Sequence, residues 1–255
     1  MILARLSRAL REQNWFAVCL EFVIVIAGVV VGFQVTAWNA ARQESIVERD
    51  TLVRLHQDIA SSRTAQIRDI AYLEQQMSDQ AVVLESLSRC AVSPEDDAMF
   101  QRGVSTLGWV NPPRLNRRTI DEMLASGRAN IIRNPAIRDE LADIVATVEW
   151  RGAAYSDTMN SMQNNRQRIE PHMRFGLDQV LENAFVSEHR VRVIYDIAAI
   201  CHDRLLVNSV SSVRYLTHER MEAYRPLIGI YAEFLTQIES ELEGRWGTNP
   251  EETSQ

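Results

Sequence analysis

Cys201, His202 and Asp203 put a thiol, an imidazole and a carboxylate in a row. These are the side-chain types of a nucleophile, its base and the group that orients the base. Helix neighbours, however, point about 100° apart, so side chains adjacent in sequence do not face one another. The row therefore predicts a buried cysteine beside a solvated His–Asp pair. The other histidines (His56, His172, His189 and His218) are scattered, and none falls in a His-x-x-x-His metal pair. Glu170-Pro171-His172 reads as a helix junction. There is no Gly-x-Ser-x-Gly elbow and no phosphate-cradling glycine loop. The expectation is a protein that is not an enzyme and takes no metal and no cofactor.

Two other constellations carry chemistry of a softer kind. Arg114, Arg117, Arg118, Arg128, Arg133 and Arg138 are opposed between 114 and 138 only by Asp121 and Glu122. The segment is thus basic in a chain whose formal net charge is −7. It would serve as an anion or acidic-partner patch, aided by the N–H groups of a helix starting at Asn134-Pro135. The favoured reading is that it pairs with acidic long helices of the same chain. The three cysteines are Cys19, Cys90 and Cys201, with no metal-ligand spacing among them. In an oxidising compartment Cys90 and Cys201 could bridge, but the reading favours two separate buried thiols.

The elements behind these residues begin with an apolar run from Trp15 to Trp38, broken only by Glu21, Gln34 and Thr36. As a helix its 24 residues span roughly 36 Å, and a bilayer core needs about 20. The tryptophans bracket it as an aromatic belt would. Arg5, Arg8 and Arg11 precede it, while Arg42 and Arg49 follow among acidic residues, which favours a cytoplasmic N-terminus. The organisation expected is residues 1–14 in the cytoplasm, a membrane helix over 15–38, an external helical domain over 39–247 and a disordered tail over 248–255. The rivals are a secretory signal cleaved after Val35-Thr36-Ala37 and a buried helix of a soluble fold. The run's length favours the anchor, since signal cores are shorter. Within the run Gly28 and Gly32 form a Gly-x-x-x-Gly pair, and Glu21 falls within about 20° of both at 100° per residue. This stripe either faces a second copy in the membrane or leaves Glu21 to reach back to the interface.

Downstream the chain reads as helices. Residues 40–91 contain no Pro and no Gly, and Leu52, Leu55, Ile59, Ile67, Ile70, Leu73, Met77, Leu84 and Leu87 recur near one helix face. The apolar positions drift from a strict heptad, which favours a bundle over a two-stranded coiled coil. Ser61 to Thr64 suggests a bend. Ser93-Pro94 predicts a short helix to about Leu107, Thr119 to Glu122 a capping box, and Gly127 a left-handed stop. Asn134-Pro135 opens a helix running to Glu170. A last helical stretch spans about Asp196 to Glu243, where Pro226 should kink or divide it and Gly244 should close it. No strand is predicted. All 27 basic residues are arginine, and beyond the run 24 of them face 32 Asp and Glu, which disfavours nucleic acid as a partner.

Two stretches resemble an uncharacterised bacterial family of single-pass membrane proteins. One runs from Glu21-Phe22-Val23-Ile24-Val25 to Gly32-Phe33-Gln34-Val35-Thr36-Ala37-Trp38-Asn39-Ala40-Ala41-Arg42, and resembles that family's Gln-Val-x-x-Trp-Asn-x-x-Arg membrane exit. The other, Thr119 to Gly127 with Ile131 to Asn134 and Ile137-Arg138, is similar to its Ser-Gly turn and helix start. The resemblance implies an uncleaved anchor and assigns no catalytic residue.

The fold expected is all-α, with one transmembrane helix continuing into an elongated helical bundle. The function expected is a self-associating scaffold or interaction module in a bacterial inner membrane, with its bulk in the periplasm. Its partners would be the lipid bilayer, further copies of the chain and an unidentified membrane protein. The alternative is a sensory bundle for a small ligand, disfavoured by the short cytoplasmic end.

Overall fold

The computed structural model describes residues 15–180, 189–248 and 250. Residues 1–14, with Arg5, Arg8 and Arg11, lie outside them, as do 249 and 251–255 of the tail. The fold is all-α. Helix α1 spans Trp15–Arg89, α2 Asp97–Ser105, α3 Arg118–Ala125, α4 Pro135–Ile169, α5 Ile197–Ile200 and α6 Arg204–Trp246. A two-stranded hairpin, β1 Met173–Val180 and β2 His189–Tyr195, joins α4 to α5. The chain divides after Thr51 into two compact units.

The first unit contains the N-terminal part of α1. One helix here is long and apolar enough to cross a membrane. From residue 19 to residue 44 every side chain is exposed. Trp38, at the polar end of the run, has the Arg42 guanidinium 5.8 Å from its ring centre.

The second unit is a bundle of three long helices. His56 of α1 meets Glu239 of α6 at 2.8 Å, and Arg225 of α6 meets Glu74 of α1 at 3.0 Å, so the two run antiparallel. Asn134, the cap of α4, donates to Glu241 near the end of α6, so α4 is also antiparallel to α6. At one end Leu52, Leu55 and Ile59 pack with Ile137, Leu141 and Ile144 and with Leu227, Phe234 and Ile238. At the other, Val83 and Leu87 pack with Phe100, Val104, Leu206 and Val210.

Residues 102–119 run back along α1 as a strap, mostly without regular structure. A row of polar side chains on α1 holds it. Asp79 takes a two-pronged bond from Arg102 at 3.0 and 3.1 Å. Gln76 donates to the Trp109 carbonyl at 2.7 Å. Asp69 accepts from Asn111 and from Arg114, both at 2.8 Å. Gln66 and Ser62 accept the backbone N–H groups of Arg114 and Asn116. Asp58 closes the row, accepting from the Asn116 amide and from the N–H and hydroxyl of Thr119. A buried backbone needs partners, and here side chains replace a ladder.

Several expectations are corrected. Ser61 to Thr64 does not interrupt α1, because Ser62 and Thr64 bond back to the carbonyls of Asp58 and Ala60 within the helix. α2 begins at Asp97 rather than Pro94, since Ser93 caps a separate turn at Asp96. Thr119 is not a cap, because its hydroxyl is taken by Asp58 and α3 already starts at Arg118. Pro226 does not divide α6: it stands on the exposed face, and Leu227 and Tyr231 behind it are fully buried. The left-handed stop is Gly247, φ 61°, and Gly244 lies inside the helix. The hairpin contradicts the expectation of no strands. Its pairing sets Met173 opposite Tyr195 and Phe175 opposite Val193, an alternation with period two that eight residues are enough to carry. The N–H of Val193 donates to Gln101, and the Phe100 and Tyr195 rings lie 4.6 Å apart, so the hairpin is tied to α2.

Candidate functional site

The densest chemistry gathers where α1 ends. Arg89 is the last helical residue, and Cys90 follows in the left-handed conformation, φ 50°. Its N–H donates to Leu87 and that of Ala91 to Ser86, the paired bonds that close a helix end. Glycine is the usual residue there, and a cysteine pays the β-carbon penalty. Cys90 is disulfide-bonded to Cys201, with Cα atoms 5.3 Å apart. The bridge corrects the favoured expectation of two separate buried thiols.

Cys201, His202 and Asp203 are not helix neighbours, contrary to the sequence reading. They form the turn between α5 and α6. Asp203 caps α6, accepting from Leu205 and Leu206 at 2.9 and 3.1 Å, and pairs with His172 at 3.3 Å. His202 is exposed, and its Nε2 lies 4.0 Å from the Cys90 sulfur. The row thus divides into a bridge, an exposed imidazole beside the Cys90 sulfur and a helix cap.

The arginine segment divides too. Arg114 is bound to Asp69 on α1. Arg117 is bound to Glu149 on α4 and to Asp121, and these carboxylates, Glu149 foremost, raise its pKa further. Arg138 donates to the carbonyls of Ile132 and Arg133. Arg118, Arg128 and Arg133 are exposed, and Arg133 has a partner of its own. In the apolar run, a β-carbon at Gly28 or Gly32 would meet nothing within 4 Å, and Glu21 is exposed.

Two hollows and one interior polar group were not legible in the sequence. A cavity of about 630 Å³ opens between the strap and α4, lined by Tyr72, Trp109, Tyr155, Met159, Met162 and Arg166. The strap turns into it at Gly108, φ 78°. A groove of about 470 Å³ between α3 and α4 is lined by Ile120, Leu124, Ile132, Leu141 and Val145 with Arg138 at its edge. Inside the bundle the Tyr224 hydroxyl is buried and makes no hydrogen bond. Burial pushes its pKa up to about 12, while the neighbouring Arg220 and Arg151 guanidiniums pull it back. Arg220 lies one turn before it on α6, and the antiparallel register set by Asn134 and Glu241 brings Arg151 of α4 alongside. The Nε atoms of both arginines are buried without a partner. The sequence signal was the i, i+4 spacing of Arg220 and Tyr224, which says nothing of the helix opposite.

No protein-family model, curated protein or solved structure matches this chain.

Proposed function

We propose that this protein is a single-pass membrane scaffold that presents a helical interaction domain and associates with further copies of itself. The observation that carries the reading is one helix, unbroken from Trp15 to Arg89, whose apolar stretch is uncovered from 19 to 44 and whose later residues, Leu52 onward, build the bundle core. Uncovered apolar surface of this length suits a bilayer core. In this proposal the N-terminus faces the cytoplasm and the bundle the periplasm of a bacterial inner membrane, in keeping with the arginine bias across the run and the resemblance of its exit. A disulfide fits that oxidising side. The open faces of Gly28 and Gly32 supply the surface for a second copy, with Glu21 on the same stripe. A membrane protein is the proposed further partner, and nucleic acid is not one. The proposal is non-enzymatic: Asp58, Asp79 and Asp203, the best-placed carboxylates, are engaged in holding the strap and capping α6. Crosslinking in native membranes tests it. Gly28→Leu with Gly32→Leu should remove the crosslinked dimer, and an unchanged ladder would refute self-association through this stripe.

A sensory reading is favoured by a different observation, the Tyr224 hydroxyl and two partnerless guanidinium nitrogens within one layer of the bundle. Such a layer would hold a small carboxylate or phosphate. In that case the thermal midpoint of the full chain in detergent should rise with millimolar anion, and the rise should vanish in Arg151→Gln.

A further inference from the structure

We propose that Cys90, Cys201 and His202 form a redox-gated site for a thiophilic divalent cation, with zinc the fitting ion. The site is closed while the two sulfurs are bonded and open once they are reduced. The two sulfurs and one imidazole nitrogen all lie within 4.8 Å of one another. They come from two places 111 residues apart, the end of α1 and the turn before α6, so the fold and not the local sequence assembles them. A bridge needs two cysteines and gains nothing from an imidazole. A cation needs a third donor, and His202 supplies it.

The surroundings support the assignment. Asp203 is taken by the α6 cap and by His172, and among the described residues no carboxylate pairs with His202, which leaves its Nε2 turned to sulfur. Two thiolates and an imidazole select zinc over magnesium or calcium. Three protein donors with an exposed side leave one position for water or for a donor from outside. Cys90 also stands at the C-terminal end of a 75-residue helix, where the partial negative charge of the last carbonyls favours a nearby cation. The left-handed backbone at Cys90 fixes a sulfur where glycine would be easier, and such strain is commonest at functional positions.

The chemistry balances with a dithiol as reductant. It gives two electrons and two protons, the Cys90–Cys201 bond breaks to two thiols, and the dithiol closes to its own disulfide. The cation then displaces the two thiol protons and keeps its charge.

The test uses the full chain in detergent with Cys19→Ser, which removes the one other cysteine. Zinc is titrated against a chromophoric chelator after anaerobic reduction and removal of the dithiol. The reduced chain should take one equivalent and the oxidised chain none. His202→Ala should still form the bridge under oxidising conditions and should bind zinc at least tenfold more weakly when reduced. Cobalt in place of zinc should give a sulfur-to-metal charge-transfer band that Cys90→Ser abolishes. Zinc affinity in the reduced chain no better than in Cys90→Ser with Cys201→Ser would overturn the assignment, and so would an unchanged affinity in His202→Ala. A reduced chain that loses its helical circular dichroism and does not recover it with zinc overturns it as well.

Discussion

Tyr224 and Tyr231 lie two turns apart on one buried face of α6, yet their hydroxyls meet opposite fates. Tyr231 donates to the Arg114 carbonyl of the strap, while Tyr224 has no hydrogen-bond partner. Tyr231→Phe should therefore destabilise the fold by about 1 kcal/mol, whereas Tyr224→Phe should be neutral or stabilising. Both phenols have raised pKa values, chiefly through burial. A raised phenol keeps its proton in the folded chain while the unfolded chain loses it near pH 10. The unfolded state then binds fewer protons, so stability is fully present below pH 10 and falls as pH rises through it, for Tyr224 up to about pH 12. Denaturant midpoints from pH 8 to 11 should fall less steeply in the double phenylalanine variant. Tyr231 was legible as one member of an apolar stripe. The orphaned hydroxyl of Tyr224 was not, because a missing partner is a property of the opposite helix.

At the scale of elements, the polar row on α1 explains why its apolar positions drift. Asp58, Ser62, Gln66, Asp69, Gln76 and Asp79 recur at spacings of three, four and seven, so the helix serves a second, hydrogen-bonding face besides its apolar one. Nothing in the sequence marks such residues as interior, yet Ser62, Gln66, Gln76 and Asp79 are at most 2% exposed and Asp58 6%. What distinguishes them is the strap lying on them, and that partner has no periodicity to announce itself. Asp58→Ala leaves the Thr119 N–H and hydroxyl and the Asn116 amide unanswered, and should lower stability by about 3 kcal/mol in denaturant titrations, more than Asp58→Asn. Gly103 allows α2 to approach α1. A β-carbon there would stand 2.7 Å from the Asp79 carbonyl oxygen, so Gly103→Ala should be destabilising by about 1–3 kcal/mol despite its better helix propensity. The helix starts at Pro135 and the stop at Gly127 were readable because their signals are local. The hairpin escaped because Gly176 and the charged residues of MRFGLDQV dilute a short alternation.

For the whole molecule, two features set the plan. The disulfide ties the end of α1 to the start of α6 across 111 residues, and removing so long a closure costs about 2–5 kcal/mol. Cys90→Ser should accordingly lower the thermal midpoint, and the oxidised wild type should run faster than the variant on a non-reducing gel. The sequence could pose this bridge but not decide it, since the geometry depends on how α1 and α6 meet. The apolar run, by contrast, was legible at once, because a length of hydrocarbon is a one-dimensional property. Everything proposed for function rests on that run standing in lipid. The most direct measurement is a phosphatase reporter, active only after export, fused after Gln255 and assayed beside a reporter active only in the cytosol. The proposed topology predicts phosphatase activity and a silent cytosolic reporter, with both fusions in the membrane fraction. An active cytosolic reporter with no phosphatase signal would contradict it.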